Sequence, residues 1–288
     1  MLPRSRTRTK NANSTESTRI QLNMPESLTI IRHGESTYNA LAHQKAVDPL
    51  YADFVMRFGQ LSQTALESDV LAKGWEAPAD LLALARELQA RYALGASDFA
   101  TPLTEEGRSQ AAATGAALRR AWELPEVILY SPYLRTKQTL EGLIEGWPEL
   151  ASVTTYEEDR LREQDYGAAD LYNDWRLFNL NNPQQAIFYR QQGRYRYRYP
   201  EGESISDVKE RVRSLLESMI REQAGLKVLC VSHHITKLAI RSNLERLTPE
   251  EVLRIDRDEK PINCGVTVYR GDTGARELVL LQYNRKLY

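Results

Sequence analysis

The chain has 288 residues, of which 42% are hydrophobic and 27% are charged, and its formal net charge is −1. This composition is sufficient for a packed core, and it excludes a chain that is disordered throughout. The near-zero net charge excludes a global attraction to nucleic acid or to an anionic membrane surface, and no apolar run approaches the roughly 20 residues of a membrane span. The two cysteines, Cys230 and Cys264, form no disulfide framework and no zinc-ligand spacing. This favours a reducing compartment, so a cytoplasmic protein is expected.

Residues 1–23 differ in composition from the rest of the chain. They are rich in Ser, Thr and Asn, and five basic residues stand against the single acid Glu16: Arg4, Arg6, Arg8, Lys10 and Arg19. Because they contain no apolar segment of a secretory signal, we interpret residues 1–24 as a disordered basic tail. An organelle transit peptide and a translation start at Met24 are the alternatives. Residues 25–288 contain no repeat and no linker, and they are predicted to form one domain.

The first predicted strand is the apolar stretch LTII at residues 28–31. Arg32, His33 and Gly34 follow it directly. Open α/β sheets hold ligands at the carboxyl ends of their strands. A guanidinium group suits phosphate, and a neutral imidazole can attack as a nucleophile. The stretch therefore predicts a phosphate pocket with a nucleophilic histidine, provided that the rest of the chain supplies matching groups.

The segment that follows is predicted to be mainly helical. Pro78 begins one helix and Thr104 caps another, with a loop between them at residues 95–102. Helices are indicated at residues 47–58, 61–71, 81–94 and 105–122. We interpret His43, which falls in this segment, as a solvent-facing or core histidine rather than a substrate-loop residue.

Two more strands deliver polar groups in the same way. The stretch VILY at residues 127–130 is followed by SPYLR, which places Arg135 on the first turn of a helix, where backbone N–H groups also attract anions. A surface ion pair is the alternative role for Arg135. After a strand at residues 153–157, Glu163 lies in a loop. Its carboxyl group can protonate a leaving alcohol if burial raises its pKa, whereas an ordinary solvated glutamate is the alternative.

Residues 168–193 predict one or two helices over the site, and RYRYRY at residues 194–199 alternates cations with rings. At strand period the arginines share one face and the tyrosines the other. An extended segment with its tyrosines packed inward is the favoured interpretation. A cationic wall for an anionic substrate and RNA binding are the alternatives, and the lack of a basic excess argues against RNA. The helix after PEGES, over residues 205–223, has an amphipathic pattern.

The most strand-like run is KVLCV at residues 227–231, which is followed by Ser232, His233 and His234. Adjacent histidines on a loop point in different directions, and no metal-ligand spacing is present, so we expect no metal. Helices at 235–247 and after Thr248, with a closing hairpin at the sheet edge, complete the pattern. The order of elements predicts an α/β three-layer sandwich. It has a mostly parallel central sheet, helices on both faces and helical insertions over the active site.

These strand ends together suggest phosphoryl transfer. Arg32, Arg135 and His233 can neutralise the charge on a transferring phosphoryl group, which is where most of the catalysis of such reactions lies. His33 attacks phosphorus and becomes a phosphohistidine, while Glu163 protonates the departing alkoxide. Water then attacks the phosphohistidine with Glu163 as base. The guanidinium groups make a metal ion or other cofactor unnecessary.

The same residues resemble the histidine phosphatase superfamily, also called phosphoglycerate mutase-like proteins. Six motifs occur in the family's order from Leu28 onward: RHGES with Asn39, LTEEGRSQA, SPYLRTKQT, LREQDYG, PEGES and VSHH. The resemblance implies His33 as the phospho-acceptor, and Arg32, Arg135 and His233 as phosphate ligands. It implies Glu163 as the proton donor and Asn39 as a pocket residue.

Departures from the family pattern favour a phosphatase over a phosphoglycerate mutase. His234 stands where the family has Gly after its second histidine, and it either shapes the leaving-group side or turns outward. The chain is longer than typical mutases between Asn39 and Leu103, and it lacks their Gly-Trp-x-Asp stretch. The pattern most resembles a eukaryotic-type branch of phosphatases of the family.

We therefore expect a metal-independent phosphomonoesterase, of the histidine acid phosphatase type, that acts on a small phosphorylated metabolite. A bisphosphoglycerate-primed mutase and a non-catalytic phospho-ligand binding module are the alternatives. No nucleic acid or membrane partner is expected, and the sequence leaves a homo-oligomer open.

Overall fold

A mixed sheet of six strands organises the part of the chain that the computed structural model describes, namely residues 24–67, 77–272 and 277–288. Its strands are β1 (Ser27–Arg32), β2 (Val127–Tyr130), β3 (Thr154–Glu157), β4 (Lys227–Ser232), β5 (Val266–Asp272) and β6 (Glu277–Arg285). Their spatial order is β3-β2-β4-β1-β5-β6. The first four of these in space are parallel, and the β5–β6 hairpin adds two antiparallel strands at one edge. The predicted mostly parallel sheet with its closing hairpin is confirmed.

The α-helices alternate with the strands. They are α1 (Thr37–Val47), α2 (Pro49–Glu67), α3 (Ala79–Arg91), α4 (Glu105–Ala121), α5 (Leu134–Gly146), α6 (Trp175–Asn181), α7 (Pro183–Arg196), α8 (Ile205–Glu222), α9 (His234–Leu244) and α10 (Pro249–Asp258). Short 3₁₀ turns span Pro148–Ser152, Asp159–Leu161 and Gly167–Tyr172. Several helices begin at a side-chain cap. The capping oxygen accepts a hydrogen bond from a backbone N–H of the first turn, as it does at Ser36, Thr104, Ser204 and Thr248.

The central strands β1, β2 and β4 are buried on both faces, which produces three layers. Along β1, Leu28 and Ile30 pack into a cluster with α8, α9 and α10, whereas Ile31 packs into a second cluster with α4 and α5. Alternation along a strand sends successive side chains to opposite faces, so a run of consecutive apolar residues requires helices on both sides. The predicted sandwich is therefore confirmed by how the strand side chains pack.

A separate helical layer lies beside the carboxyl ends of the strands. Helices α2, α3 and α6 share their own core, with Phe54, Leu81, Leu88, Leu177 and Leu180 fully buried in it. A smaller aromatic cluster of Phe178, Tyr197 and Tyr199 adjoins it. These segments supply residues to the cavity described below, in line with the predicted insertions over the site.

Two predicted elements differ from the observed ones. The two short helices expected at 47–58 and 61–71 are instead one continuous helix as far as Glu67, and residues 68–76 lie outside the described part. The RYRYRY stretch is not wholly extended, because α7 continues to Arg196 after a break at Gly193, where φ is +72°. Its three tyrosines are nevertheless buried as expected, at 8%, 1% and 6% exposure for Tyr195, Tyr197 and Tyr199.

The predicted tail over residues 1–24 lies outside the described residues apart from Met24, which packs in the core below β1. Within the described ranges, none of the helices combines the length and the apolarity that crossing a membrane would require. Both cysteines are buried as free thiols.

Two glycines bring the loop after β1 against the first turn of α4. A Cβ on Gly107 would lie 2.0 Å from the backbone oxygen of Glu35, and one on Gly34 would lie 2.4 Å from the oxygen of Gly107. We expect Gly107→Ala to lower the free energy of unfolding by about 1–3 kcal/mol, because backbone must shift to accept the methyl group.

Urea unfolding followed by circular dichroism measures this loss. Gly59→Ala is the matched control, since Gly59 lies within α2 and, beyond the neighbouring backbone of that helix, no described atom lies within 4 Å of the added Cβ. That change should stabilise the protein by about 0.5–1 kcal/mol through helix propensity. A Gly107→Ala protein as stable as the wild type would contradict the close packing of these two segments.

Candidate active site

The carboxyl ends of the parallel strands meet at one edge of the sheet. Arg32 ends β1 opposite Ser232 at the end of β4, and Tyr130 ends β2 opposite Val231. A cavity of about 430 Å³ opens at this edge. It is lined by all but one of the predicted site residues: Arg32, His33, Asn39, Arg135, Glu163 and His234. The exception, His233, is fully buried directly behind His33, with 5.2 Å between the ring centroids.

The His33 ring is held in one tautomer. Its Nδ1 lies 2.7 Å from the carbonyl oxygen of Gly34, which can only accept, so Nδ1 carries the proton and Nε2 bears the free lone pair. The backbone is fixed as well, since His33 N donates to Ser232 O at 2.9 Å. Burial, together with the nearby Arg135 and Arg32, holds the pKa of His33 well below its usual value. The imidazole is therefore neutral and nucleophilic at neutral pH.

The loop after His33 is supported by side chains from α4 and α5. Gly34 N donates to Thr139 Oγ1 and Glu35 N donates to Gln110 Oε1, each at 3.0 Å. Asn39 completes a capping box at the start of α1, because its Oδ1 accepts from Ser36 N at 3.2 Å. Asn39 Oδ1 also accepts from Asn263 Nδ2 at 3.0 Å. Asn39 therefore shapes the loop in addition to lining the cavity.

Arg32 forms no ion pair with an acidic side chain in the described part of the chain. Its Nη1 donates to Pro261 O at 2.7 Å, and its buried Nε meets no acceptor among those residues. Burial lowers the pKa of Arg32 to about 10, so it remains cationic at neutral pH. A buried cation with free donors is suited to bind an anion in the cavity.

Arg135 stands on the first turn of α5, where the sequence predicted a second cation, but it is paired. Asp98, in the loop before α4, accepts from Nη1 at 3.0 Å and from Nη2 at 3.1 Å. The Asp98 carbonyl accepts from Nη1 at 2.6 Å. The guanidinium also lies 4.8 Å from the centroid of the Tyr133 ring. This arginine is thus fixed before any ligand arrives.

His233 is bound by a residue from a different strand end. Its Nε2 lies 2.7 Å from the hydroxyl oxygen of Ser131, which follows β2 directly. Its Nδ1 is buried and has no partner among the described residues. Burial, together with the charges of Arg135 and Arg32, holds the pKa of His233 well below its usual value, so the ring is neutral.

Glu163 lies at the amino terminus of α9. Its Oε2 accepts from His234 N at 3.0 Å, and its Oε1 accepts from Ile235 N and from Gln164 N at 3.0 Å each. These N–H groups and the helix dipole favour the ionised carboxylate. Burial acts in the opposite direction and dominates, which raises the pKa of Glu163 above its usual value. A carboxyl group whose pKa is raised keeps its proton to a higher pH and can transfer it to a ligand in the cavity.

His234 is turned toward the cavity wall and away from bulk solvent, at 8% exposure. Its Nε2 lies 2.8 Å from Asp256 Oδ1, and Asp256 Oδ2 also pairs with Arg194 at 2.6 Å. Burial lowers the pKa of His234 to about 4. Although burial opposes it, the contact with His234 lowers the pKa of Asp256 to about 2. Arg194, the first cation of RYRYRY, lines the cavity, whereas Arg196 and Arg198 are exposed.

Sequence reasoning missed Ser131, Asp98 and Asp256, which bind His233, Arg135 and His234. Ser131 carried a usable signal, since it follows β2 as directly as Arg32 ends β1. Asp98 and Asp256 carried none, because an acidic residue in a loop or on an amphipathic helix is ordinarily solvated. His43 does not line the cavity, and its side chain is 76% exposed, 3.7 Å from Glu35.

The outer part of the cavity has mixed charge and many aromatic rings. Lys45 and Arg176 both pair with Asp174, at 3.8 Å and 3.6 Å, and Tyr51 also bonds to Asp174. The ring-bearing side chains there are Tyr38, Tyr51, Tyr166, Trp175 and Tyr199. Within the described ranges, no group of three or more His, Cys, Asp or Glu side chains is arranged to hold a metal ion.

Comparison with known protein families identifies the same architecture. Residues 88–284 match the model of the histidine phosphatase superfamily, branch 1. The match begins after the His33 loop, which the fold nevertheless brings to the same strand edge as His233.

Among curated proteins, the chain is similar to two phosphoglycerate mutase-like proteins of Arabidopsis thaliana. AT74H is 33% identical over 179 residues, covering 55% of this chain and 61% of that protein. AT74 is 35% identical over 132 residues, covering 43% of this chain and 40% of that protein. The matched region therefore spans about two fifths to three fifths of these relatives. A 2,3-bisphosphoglycerate-dependent phosphoglycerate mutase of Gloeobacter violaceus is 30% identical over 164 residues, covering 54% of this chain and 69% of that enzyme.

Solved structures share the fold at low sequence identity. Phosphoserine phosphatase of Entamoeba histolytica superposes with a TM-score of 0.57 at 16% identity, covering 91% of this chain and 98% of that chain. A mycobacterial glucosyl-3-phosphoglycerate phosphatase gives a TM-score of 0.54 at 19% identity, covering 90% and 99%.

Proposed function

The chain belongs to the histidine phosphatase superfamily, and from this premise we propose that it is a phosphomonoesterase that works through a phosphohistidine on His33. The observation that carries the proposal is the His33 ring itself. It is neutral, it is held in the Nδ1–H tautomer, and it lines a cavity together with Arg32 and Arg135. A fixed neutral imidazole beside guanidinium groups is suited to attack a phosphate ester.

In the proposed first step, His33 Nε2 forms a bond to phosphorus while the bond from phosphorus to the ester oxygen breaks. Arg32 and Arg135 neutralise the charge on the non-bridging oxygens, and we assign the buried Nδ1 of His233, which has no partner among the described residues, as a third donor to them. Glu163 donates its proton to the departing oxygen, so the alcohol leaves neutral. Burial of Glu163 supports this role, because it raises the fraction of protonated carboxyl.

In the second step, Glu163, now ionised, takes a proton from water as the water oxygen bonds to phosphorus. The bond from phosphorus to Nε2 breaks, and inorganic phosphate and neutral His33 result. No step in this scheme uses a metal ion, because the arginines neutralise the charge of the phosphoryl group that a metal ion would otherwise neutralise.

Release of inorganic phosphate tests the proposal. Purified protein is assayed on p-nitrophenyl phosphate and on a panel of sugar, glycerate and amino-acid phosphates, with and without EDTA. The proposal expects hydrolysis of at least one compound at a rate that EDTA leaves unchanged. Complete inhibition by EDTA would contradict the metal-independent mechanism, and absence of any release would contradict a phosphatase.

A mutase is the second candidate, because curated relatives carry that name. A mutase would use the same residues and return the phosphoryl group to the bound product. Incubation with 3-phosphoglycerate and 2,3-bisphosphoglycerate separates the two functions. Conversion to 2-phosphoglycerate that exceeds phosphate release would favour the mutase, whereas release without isomerisation would favour the phosphatase.

We further propose that the substrate carries a second acidic group. Lys260 lines the cavity, and in the described part of the chain it makes no ion pair with a carboxylate, unlike Lys45, Arg135 and Arg194. We expect Lys260→Met to raise KM about 10-fold for phosphoglycerates, which is the scale of a hydrogen bond to a charged group. Phosphate esters of neutral alcohols should be hydrolysed as before.

Steady-state kinetics on matched charged and neutral esters measures this preference. Lys137→Met is the control, since Lys137 pairs with Glu157 and does not line the cavity. An equal change in KM for both classes of ester would contradict recognition of a second acidic group by Lys260.

A further inference from the structure

The guanidinium group of Arg135 is held at one end by Asp98. Two parallel hydrogen bonds join Nη1 and Nη2 to the two carboxylate oxygens at 3.0 Å and 3.1 Å. A third joins Nη1 to the Asp98 carbonyl at 2.6 Å. Arg135 is 4% exposed, whereas the Asp98 side chain is 24% exposed, so the arginine is the buried partner of the pair. A bidentate pair of this kind fixes the plane of the guanidinium group as well as its position.

Two of the N–H donors of Arg135 remain available to a ligand. A guanidinium group has five N–H bonds, of which two belong to Nη1, two to Nη2 and one to Nε. Asp98 takes both from Nη1 and one from Nη2. The Nε–H and the second Nη2–H remain without an acceptor among the described residues, and these two bonds are parallel along one edge. Such an edge binds two oxygens of one phosphate.

The loop that carries Asp98 is fastened to both sides of the site. Phe99 O accepts from Leu134 N at 3.0 Å, and the Phe99 ring meets the Tyr133 ring edge-on at 5.2 Å. At its other end, Pro102 O accepts from Thr37 N at 3.0 Å, next to the His33 loop. The carboxylate is therefore itself fixed with respect to the two segments that carry the proposed nucleophile and Arg135.

We propose that Asp98 is a positioning residue that orients Arg135, so that the free Nε–Nη2 edge receives the transferring phosphoryl group. This inference rests on the proposed function. Without Asp98, the arginine can rotate about its side chain and loses the alignment of its remaining donors. Because the phosphoryl group is common to all substrates, the loss should not depend on the alcohol.

A double-mutant cycle tests the proposal, because it separates an effect through Arg135 from an independent one. The variants are Asp98→Ala, Arg135→Ala and the double variant, assayed on p-nitrophenyl phosphate and on an alkyl phosphate. We expect Asp98→Ala to lower kcat/KM about 10- to 100-fold on both esters, the scale of a misplaced donor to the transition state. In the Arg135→Ala background the same change should cost less than about twofold.

Inhibition by orthovanadate supplies a readout that does not depend on the leaving group. The inhibition constant should rise with Asp98→Ala in the wild-type background and stay constant in the Arg135→Ala background. Asp98→Asn, which keeps one side-chain acceptor and the backbone carbonyl, should give an intermediate loss, and it replaces Asp98→Ala if that protein does not fold. Asp80→Ala is the control, since Asp80 pairs with Arg57 and neither residue lines the cavity.

Losses that multiply in the double variant would show that Asp98 acts independently of Arg135 and would overturn the proposal, as would an Asp98→Ala enzyme with wild-type kinetics. If the wild type hydrolyses nothing, the proposed function fails by itself. Binding of inorganic phosphate, measured by calorimetry over the same four proteins, then decides the question for Asp98. An unchanged phosphate affinity in Asp98→Ala would overturn it.

Discussion

Replacing His33 with alanine is expected to lower kcat/KM by at least about 10⁴-fold, the scale on which enzymes lose activity when a covalent nucleophile is removed. The imidazole has no substitute in the cavity. Of the other histidines near the site, His233 is buried outside the cavity lining with its Nε2 bonded to Ser131, and His234 Nε2 faces Asp256. Neither ring is expected to replace His33 as the nucleophile, because the proposed scheme uses His233 as a hydrogen-bond donor and Asp256 engages His234.

A quench experiment measures the intermediate directly. Wild-type protein mixed with ³²P-labelled substrate and denatured in alkali should retain label that is released by acid, as phosphohistidine is, whereas His33→Ala should retain none. His43→Ala is the matched control, because that imidazole is 76% exposed and lies outside the cavity lining. It should label and turn over as the wild type does.

The result also separates an enzyme from a binding module. If His33→Ala keeps both phosphate affinity and phosphate release, His33 is not the nucleophile and the proposed mechanism fails. If the wild type forms no phosphohistidine and releases no phosphate but binds it, a non-catalytic phospho-ligand module is favoured. Thermal unfolding of each variant verifies that a loss of activity is not a loss of fold.

The strand edge could be predicted because its signals are local. In β1 and β4, consecutive apolar residues end at a polar group, Arg32 and Ser232, and burial on both faces explains why such runs must be strands between two helical layers. Since the carboxyl ends of parallel strands lie at one edge of a sheet, the sequence alone predicted that His33 and His233 share one site. The family resemblance implied the same roles and added Asn39 as a pocket residue.

The contacts that orient those groups could not be predicted, because they join residues far apart in the chain. Ser131 and His233 are separated by 102 positions, and Asp98 and Arg135 by 37. The sequence alternative for Arg135, a surface ion pair, was half right: the arginine is paired, but it is buried at the cavity. The tertiary structure determines which residues pair, and the periodicity of apolar residues along a single helix or strand carries no information about it.

Local patterns also failed where tertiary packing overrides them. The alternation of RYRYRY is typical of a strand, yet Arg194 and Tyr195 belong to α7. Tyr195, Tyr197 and Tyr199 are all buried, although the first is helical and the other two are not. The prediction that the tyrosines pack inward was therefore correct, whereas the prediction of an extended backbone throughout was not. Helix α2 continues through residues 60–64, which are mostly polar and carry no local signal that joins the two predicted helices.

Glu163→Gln is expected to lower kcat about 10²- to 10⁴-fold on alkyl phosphates, the usual contribution of a general acid. The loss on p-nitrophenyl phosphate should be much smaller in the first step, because a stabilised phenolate leaves without a proton. Glutamine retains a carbonyl oxygen for the N–H groups of His234 and Ile235, so the start of α9 is largely preserved. Stopped-flow measurement of alcohol and phenol release compares the two leaving groups, with Glu217→Gln serving as an exposed carboxyl variant outside the cavity lining.

The pH dependence of kcat/KM tests whether Glu163 acts in its protonated form. The free enzyme needs His33 neutral and Glu163 protonated. Burial lowers the pKa of His33 and raises that of Glu163. The active form therefore exists above the depressed histidine pKa and below the raised glutamate pKa, and kcat/KM on alkyl phosphates should fall as pH rises through the latter. In Glu163→Gln this falling limb should disappear while the acid limb remains, because His33 is untouched. A falling limb that persists unchanged in the variant would assign it to another group and remove Glu163 from the role of proton donor.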